Sequence, residues 1–207
     1  MDALLVVDIQ NDFLPGGALA VPDGDLIIPI VNRLMERFAL VLATQDWHPA
    51  NHGSFAANHP NRRPGEVIDL NGISQILWPI HCVQGSSGAA FSSQVRSQCF
   101  HQVFAKGIDP GIDSYSGFFD NGRKRSTGLI DYLRGRSVDE LFICGLATDY
   151  CVRFSALDSI DCGIRTRVIQ DACRGVDLKP GDSAEAIADL RKIGVSIVES
   201  DNVRGDQ

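Results

Sequence analysis

The chain has 207 residues, of which 44% are hydrophobic and 22% are charged, and this excludes wholesale disorder and favours one α/β domain over residues 1–207. The formal net charge of −7 has the wrong sign for a protein that holds nucleic acid by its phosphates. No run approaches the roughly 20 apolar residues that cross a bilayer, so we expect a cytoplasmic protein with a small-molecule partner, without nucleic acid or membrane, and either monomeric or a homo-oligomer.

Short apolar runs alternate along the chain with segments of helical period. Six short β-rich runs are the candidate strands: residues 4–7, 39–43, 101–105, 141–144, 165–169 and 195–198. Continuous apolar character, as in residues 4–7, is typical of strands that are buried on both faces. Amphipathic segments predict helices over residues 26–38, 126–133, 149–157 and 183–193. This alternation predicts right-handed crossovers and a three-layer α/β/α sandwich around a six-stranded parallel sheet.

Residues 49–88 depart from this alternation. They are rich in Pro, Asn, His and Gly and show no strong period. A loop of this length inside a compact domain is usually functional or carries small elements of its own. We therefore predict an insertion at about residues 46–88 that carries part of the functional site.

Chemically active residues follow four of the predicted strands. Asp8 follows the first strand, and Asp46 and His48 follow the second. Lys106 follows the third strand, and Cys151 begins the helix after the fourth. Each residue alone is more often a turn residue, a solvated base or a core thiol. Because ligands bind outside the carboxyl ends of parallel strands, the coincidence of all four predicts a site on one rim of the sheet.

Cys151 is the candidate nucleophile among six cysteines, which form no CxxC pair and are expected to stay reduced. A helix start capped by Thr148 or Asp149, with Lys106 nearby, is expected to lower the pKa of the Cys151 thiol. Asp8 is placed to accept the thiol proton. The thiols interpreted as small core residues are Cys99, Cys144, Cys162 and Cys173.

Asp46 and His48 lie two residues apart in an extended segment, which sends both side chains to one face. This is chelate spacing, and His81 is the candidate third ligand, although loop residues without a metal show the same pattern. One carboxylate and two imidazoles suit zinc, iron(II) or manganese and leave coordination positions open. His52, the Ser54 hydroxyl and water remain alternatives for a fourth ligand.

Six segments, in order, make the chain resemble the nicotinamidases of the isochorismatase-like cysteine hydrolases over essentially its full length. They are VVDIQNDFLPGGAL, TQDWHPANHGSF, WPIHCVQGSSGA, FAKG with DSYSGFFDN, GLATDYCV and DACRGV. The resemblance implies an amidase that converts nicotinamide and water to nicotinate and ammonia and also accepts pyrazinamide-like analogues. The matching catalytic triad is Asp8, Lys106 and Cys151. The matching ligands of one divalent metal, with zinc preferred over iron(II) or manganese, are Asp46, His48 and His81.

The resemblance also implies the residues that meet the substrate. These substrate-binding residues are Phe13, Trp78, Tyr115 and Leu146. The first two match aromatic residues that sandwich the pyridine ring. The Leu146–Ala147 peptide matches the family's cis bond, which turns the N–H groups of Ala147 and Cys151 toward the reacting carbonyl as an oxyanion hole.

Three other functions stay open at this point. An amidohydrolase for a carbamoyl or ureido compound would use the same fold, and metal dependence would distinguish it. A catalytically silent binding protein is disfavoured because all three triad positions are filled. A thiol redox protein is disfavoured because no second cysteine lies two or three residues from Cys151.

Overall fold

The structure is a computed structural model that describes residues 1–203; the last four residues of the predicted domain, 204–207, lie outside the described residues. The strands are β1 (Asp2–Val7), β2 (Val41–Asp46), β3 (Val67–Leu70), β4 (Ile73–Ile76), β5 (Gln102–Lys106), β6 (Glu140–Leu146), β7 (Arg165–Arg174) and β8 (Ser196–Val198). The α-helices are α1 (Ile28–Met35), α2 (Leu129–Gly135), α3 (Arg153–Asp161) and α4 (Asp182–Lys192). All six predicted strands are present.

Six of the strands form one parallel sheet in the order β5-β2-β1-β6-β7-β8. The chain winds outward from β1 through β2 to β5, then crosses to β6 and winds the other way. Because such crossovers are right-handed, the two halves place their helices on opposite faces of the sheet. This confirms the predicted α/β fold, and it puts the topological switch point between β1 and β6, where ligands bind in such sheets.

The centre of the sheet is fully enclosed, which explains the unbroken apolar runs. β1 pairs with β2 on one side and with β6 on the other, and Leu4 stands opposite both Val41 and Phe142. Ala3 to Val7 have no exposed surface. A strand with neighbours on both edges and helices on both faces has no side that favours polar residues.

Three of the four helices begin later than the periodicity predicts, and α4 begins one residue earlier. Residues Gly24–Ile27 form a 3₁₀ turn before α1, and α2 starts only after Gly128, which adopts a left-handed conformation with φ of 92°. The helix predicted from residue 149 opens with a π-helical turn over Thr148–Val152, and α3 follows it. None of the described helices combines the length and the apolar character needed to cross a membrane.

The predicted insertion contains an antiparallel hairpin that the periodicity did not reveal. β3 pairs with β4 around Asn71 and Gly72, whose φ values are 54° and 87°. Asn-Gly is the strongest short signal for such a turn, so the sequence does contain the evidence for this hairpin. Isolated bridges from His48 to Val83 and from Phe55 to Trp78 join the two ends of the insertion to each other.

Candidate active site

The structure brings the three predicted catalytic side chains into contact. Lys106 Nζ lies 2.9 Å from Asp8 Oδ2 and donates a hydrogen bond of 3.3 Å to Cys151 Sγ. Lys106 also pairs with the carboxylate of Asp46, which stands opposite it in the β2–β5 register. The buried lysine is therefore held by two acids and a thiol that lie at or beyond the ends of three different strands.

Backbone geometry at the switch point places the base and the nucleophile. Asp8 leaves β1 in a left-handed conformation with φ of 48°, and Thr44 Oγ1 donates a 2.7 Å hydrogen bond to Asp8 Oδ1. On the neighbouring strand, Gly145 has φ of 121°, and a Cβ there would lie 2.1 Å from Val7 O. Only glycine allows β6 to approach β1 this closely just before the Cys151 turn.

The predicted cap of the Cys151 helix is wrong. Ala147 occupies the N-cap position, and no side chain caps the turn. The Asp149 carboxylate instead accepts hydrogen bonds from the N–H groups of Val176 at 2.9 Å and Asp177 at 2.8 Å. Asp149 thus anchors the loop after β7 beside the nucleophile, a contact between distant segments that local sequence does not reveal. The Leu146–Ala147 peptide bond is cis, as the resemblance implies.

The expected lowering of the Cys151 pKa is also wrong. Burial raises the pKa of the Cys151 thiol well above its ordinary value, although Lys106 acts in the lowering direction. Burial opposes the charge on Lys106, but Asp46 and Asp8 hold its pKa above the ordinary value. Burial also raises the pKa of Asp8. The resting site therefore pairs a charged lysine with a protonated thiol, so forming a thiolate requires a base.

The three predicted metal ligands converge on one point. Asp46 Oδ2 lies 3.6 Å from His48 Nε2 and 3.8 Å from His81 Nε2, and all three side chains are buried. His48 Nδ1 donates to Gly107 O at 2.9 Å, and His81 Nδ1 donates to Pro79 O at 2.8 Å. These bonds leave both Nε2 atoms facing the carboxylate, where each ring in its neutral form would offer a lone pair to a cation.

The chemistry of this donor set fits a divalent cation. Burial lowers the pKa of His81 to about 4, so its imidazole is neutral near pH 7, as a ligand must be. Gly107 leaves room for the other ring, because a Cβ there would lie 2.3 Å from His48 Cε1. One carboxylate and two oriented imidazoles are a familiar set for zinc and related metals.

His52 and Ser54 stand apart from this group. The ligand atoms of His52 cluster with those of His48 and Asp113 and not with the Asp46, His48 and His81 set. His52 Nδ1 lies 2.7 Å from Ser54 Oγ and 3.2 Å from Ser54 N, so this ring nitrogen is engaged by Ser54 and not by the Asp46, His48 and His81 set. This arrangement favours water or substrate over His52 as the fourth ligand.

A cavity lined by Cys151 and by the three metal-ligand residues connects the nucleophile to the metal-ligand group. Its walls include the predicted residues Phe13, Trp78, Tyr115, Ala147 and Cys151, together with Asp46, His48 and His81. Leu146 is not among the lining residues; its side chain packs in the core beside Gly24. The lining residues that sequence reasoning missed are Leu19, Asp113, Tyr150 and Val176.

One hydrogen-bonded node fixes two of the aromatic walls. The Tyr115 hydroxyl accepts bonds from Trp78 Nε1 at 3.2 Å and from Gln75 Nε2 at 3.0 Å. Gln75 lies on β4, and its amide also donates to Asp113 Oδ2 at 3.0 Å. The β3–β4 hairpin thus places the buried Gln75 amide behind Tyr115 and Asp113, two residues of the cavity wall. The segment DSYSGFFDN signals Asp113, whereas nothing in the sequence marks Leu19 or Val176 as lining residues.

Comparisons with known proteins identify relatives of this chain. Residues 2–202 match the model of the isochorismatase domain family. The chain is 49% identical over 199 residues to a nicotinamidase of Escherichia coli, covering 94% of this chain and 93% of the relative. A solved nicotinamidase/pyrazinamidase of Acinetobacter baumannii is 46% identical, with a TM-score of 0.94 and 97% of each chain covered. A pyrazinamidase of Pyrococcus horikoshii, solved in complex with zinc, is 39% identical, with a TM-score of 0.78 over 96% of this chain and 98% of that one. The chain therefore belongs to the isochorismatase family.

Proposed function

We propose that the protein is a nicotinamidase, a cysteine amidohydrolase that converts nicotinamide and water to nicotinate and ammonia. The observation that carries this proposal is an aromatic cavity at which Cys151 lies beside a three-residue metal-ligand set, with Lys106 in contact with both Cys151 and Asp8. The nicotinamidases among its relatives support the choice of substrate. Pyrazinamide-like analogues present the same ring and carboxamide and are proposed as further substrates.

The first half of the reaction acylates the cysteine. Asp8 takes the proton of Cys151, and the Lys106 ammonium, 3.3 Å from Sγ, stabilises the resulting thiolate. The thiolate attacks the carboxamide carbon, and the oxygen gains negative charge. The N–H groups of Ala147 and Cys151, two residues that line the cavity, are proposed to donate to that oxygen. The C–N bond then breaks as Asp8 returns the proton to the departing ammonia.

The second half releases the acid. A water molecule gives one proton to Asp8 and attacks the thioester carbon, and the same two N–H groups receive the oxyanion. The C–S bond then breaks, the thiolate recovers the proton from Asp8, and the product leaves as nicotinic acid, which ionises to nicotinate by releasing its proton to solvent. Because Asp8 alternates between base and acid, one carboxylate at contact distance from Lys106 serves both halves.

We further propose that Asp46, His48 and His81 hold one divalent metal ion, with zinc preferred over iron(II) and manganese. The zinc complex of the Pyrococcus horikoshii relative supports this choice. When bound, the ion would supply a Lewis-acidic position for the pyridine nitrogen or for water. Phe13 and Trp78, on the cavity wall, are proposed to cover the two faces of the ring. Leu146 is proposed to contribute through its backbone, since its side chain packs in the core.

An ammonia-release assay across a panel of amides, with and without a chelator, tests the function. We expect turnover of nicotinamide and pyrazinamide and little turnover of carbamoyl or ureido compounds. A preference for nicotinamide over benzamide well above about a hundredfold is expected, because an apolar pocket alone separates such near-isosteres by only about 10- to 200-fold. Ammonia release from carbamoyl compounds alone would replace the proposal with the related amidohydrolase. Action in the cytoplasm and in NAD salvage is proposed on the family resemblance alone.

A further inference from the structure

Gln10 is a fully buried polar side chain that the proposed reaction does not use. It has no exposed surface and lies two residues after Asp8, where the chain leaves the sheet. Its amide nitrogen donates to Asp46 O and to Ala89 O, both at 2.8 Å, and its amide oxygen accepts from Asp46 N–H at 2.8 Å. All the ordinary hydrogen-bonding groups of the amide are engaged, and two of the three bonds go to the backbone of one residue.

The backbone of Asp46 needs a hydrogen-bond partner because β2 extends beyond the last residue of β1 that pairs with it. The β1–β2 ladder ends where Val7 stands opposite Thr44. On the other edge, Trp47 N–H donates to Lys106 O at 2.9 Å, so the N–H and C=O of Asp46 point toward the edge that β1 has already left. The Gln10 side chain supplies the missing donor and acceptor there and acts as one peptide group of an absent strand. Without it, two buried backbone groups would lack hydrogen bonds.

We propose that Gln10 is a positioning residue for the metal centre, which fixes Asp46 so that its carboxylate meets the two imidazoles. The inference rests on the metal centre of the proposed function. The Asp46 side chain shares its oxygens between Lys106 and the Nε2 atoms of His48 and His81, so a small shift of its backbone would misplace all three contacts. Groups that orient metal ligands in this way typically change metal affinity about 10- to 100-fold when they are removed.

Gln45 provides a matched control beside Gln10. It is also a glutamine, it directly precedes Asp46, and its Nε2 donates to the same Ala89 carbonyl at 2.9 Å. Its amide makes no bond to Asp46 among the described residues. A loss of affinity caused by freeing the Ala89 segment would appear in both variants, whereas a loss caused by freeing Asp46 would appear only in the Gln10 variant.

The test measures zinc affinity of the full chain, with metal removed, by competition with a chromophoric chelator at constant pH and below the melting temperature of each protein. We expect Gln10→Met to weaken zinc binding by about 10- to 100-fold and Gln45→Met to bind zinc like the wild type. Unchanged zinc affinity in Gln10→Met, or an equal loss in both variants, would overturn the proposal.

A second variant covers the case in which Gln10→Met does not fold. Gln10→Glu keeps the acceptor for Asp46 N–H and loses the bonds donated to Asp46 O and Ala89 O, so it too should bind zinc more weakly than Gln45→Met. Equal affinities of these two variants would refute the positioning role. A wild-type chain that binds no zinc would overturn this inference together with the metal centre, whereas ammonia release by that same protein would keep the amidase proposal intact.

Discussion

Replacing Tyr115 by Phe tests the hydrogen-bonded node behind the cavity. The change removes the hydroxyl that accepts from Trp78 Nε1 and Gln75 Nε2. Gln75 Nε2 keeps two acceptors, Ile76 O at 2.7 Å and Asp113 Oδ2 at 3.0 Å, so Trp78 Nε1 is the donor left unpaired. Because this node is only partly buried, we expect a loss of about 1 kcal/mol, at the lower end of the range for an unpaired donor.

The size of this loss is measurable in a chain of this length. A change of about 1 kcal/mol lowers the melting temperature by about 2–4 °C. The KM for nicotinamide should rise more than kcat falls, because Trp78 loses its anchor while the triad keeps its contacts. Tyr132→Phe is the control, since Tyr132 packs on Phe104 and does not line the cavity.

A double-mutant cycle shows whether the loss of stability in Tyr115→Phe comes from the broken hydrogen bond to Trp78 or from removal of the hydroxyl group itself. Trp78→Phe with Tyr115→Phe breaks the shared hydrogen bond only once and leaves no unpaired indole. The double variant should therefore be about 1 kcal/mol more stable than the sum of the two single losses predicts. Strict additivity in urea denaturation would refute the reasoning.

Three further substitutions probe the proposed chemistry. Cys151→Ala should abolish ammonia release with an unchanged circular dichroism spectrum, and iodoacetamide should label Cys151 in the wild type more slowly when nicotinamide is present; an active Cys151→Ala protein would exclude it as the nucleophile. Asp8→Asn cannot take the thiol proton, so kcat should fall by at least about 10²- to 10⁴-fold, and retention of wild-type kcat would remove Asp8 as the base. His48→Ala should lower bound metal, measured by elemental analysis, and activity together; full metal content in this variant would disprove the ligand assignment.

The sequence predicts the structural features that depend on neighbouring residues or on the hydrophobic pattern of a strand. The unbroken apolar runs at residues 4–7 and 141–144 predict central strands, because burial on both faces removes polar positions. The positions of Asp8 and Lys106 at strand ends then follow from the parallel sheet. Lys106 contacts both Asp8 and Cys151 because the sheet topology brings these distant residues to one rim.

Features that depend on burial or on distant partners could not be predicted in this way. The pKa of Cys151 depends on how deeply the thiol is enclosed, and its sequence neighbourhood predicted a shift in the opposite direction. Asp149 looks like a helix cap, but tertiary contacts assign it to the backbone of Val176 and Asp177. The side chain of Leu146 follows the alternation of β6 into the core, which family resemblance does not specify.

The switch point between β1 and β6 has a consequence for how the protein is synthesised. The base, the buried lysine and all three candidate metal ligands lie within residues 8–106, whereas the nucleophile arrives at residue 151, on the oppositely wound half. Until β6 docks against the free edge of β1, the Cys151 thiol has neither the lysine nor the carboxylate beside it. In a growing chain the residues of the metal-ligand side are therefore all synthesised before the nucleophile, and hydrolysis begins only when both windings of the sheet are joined.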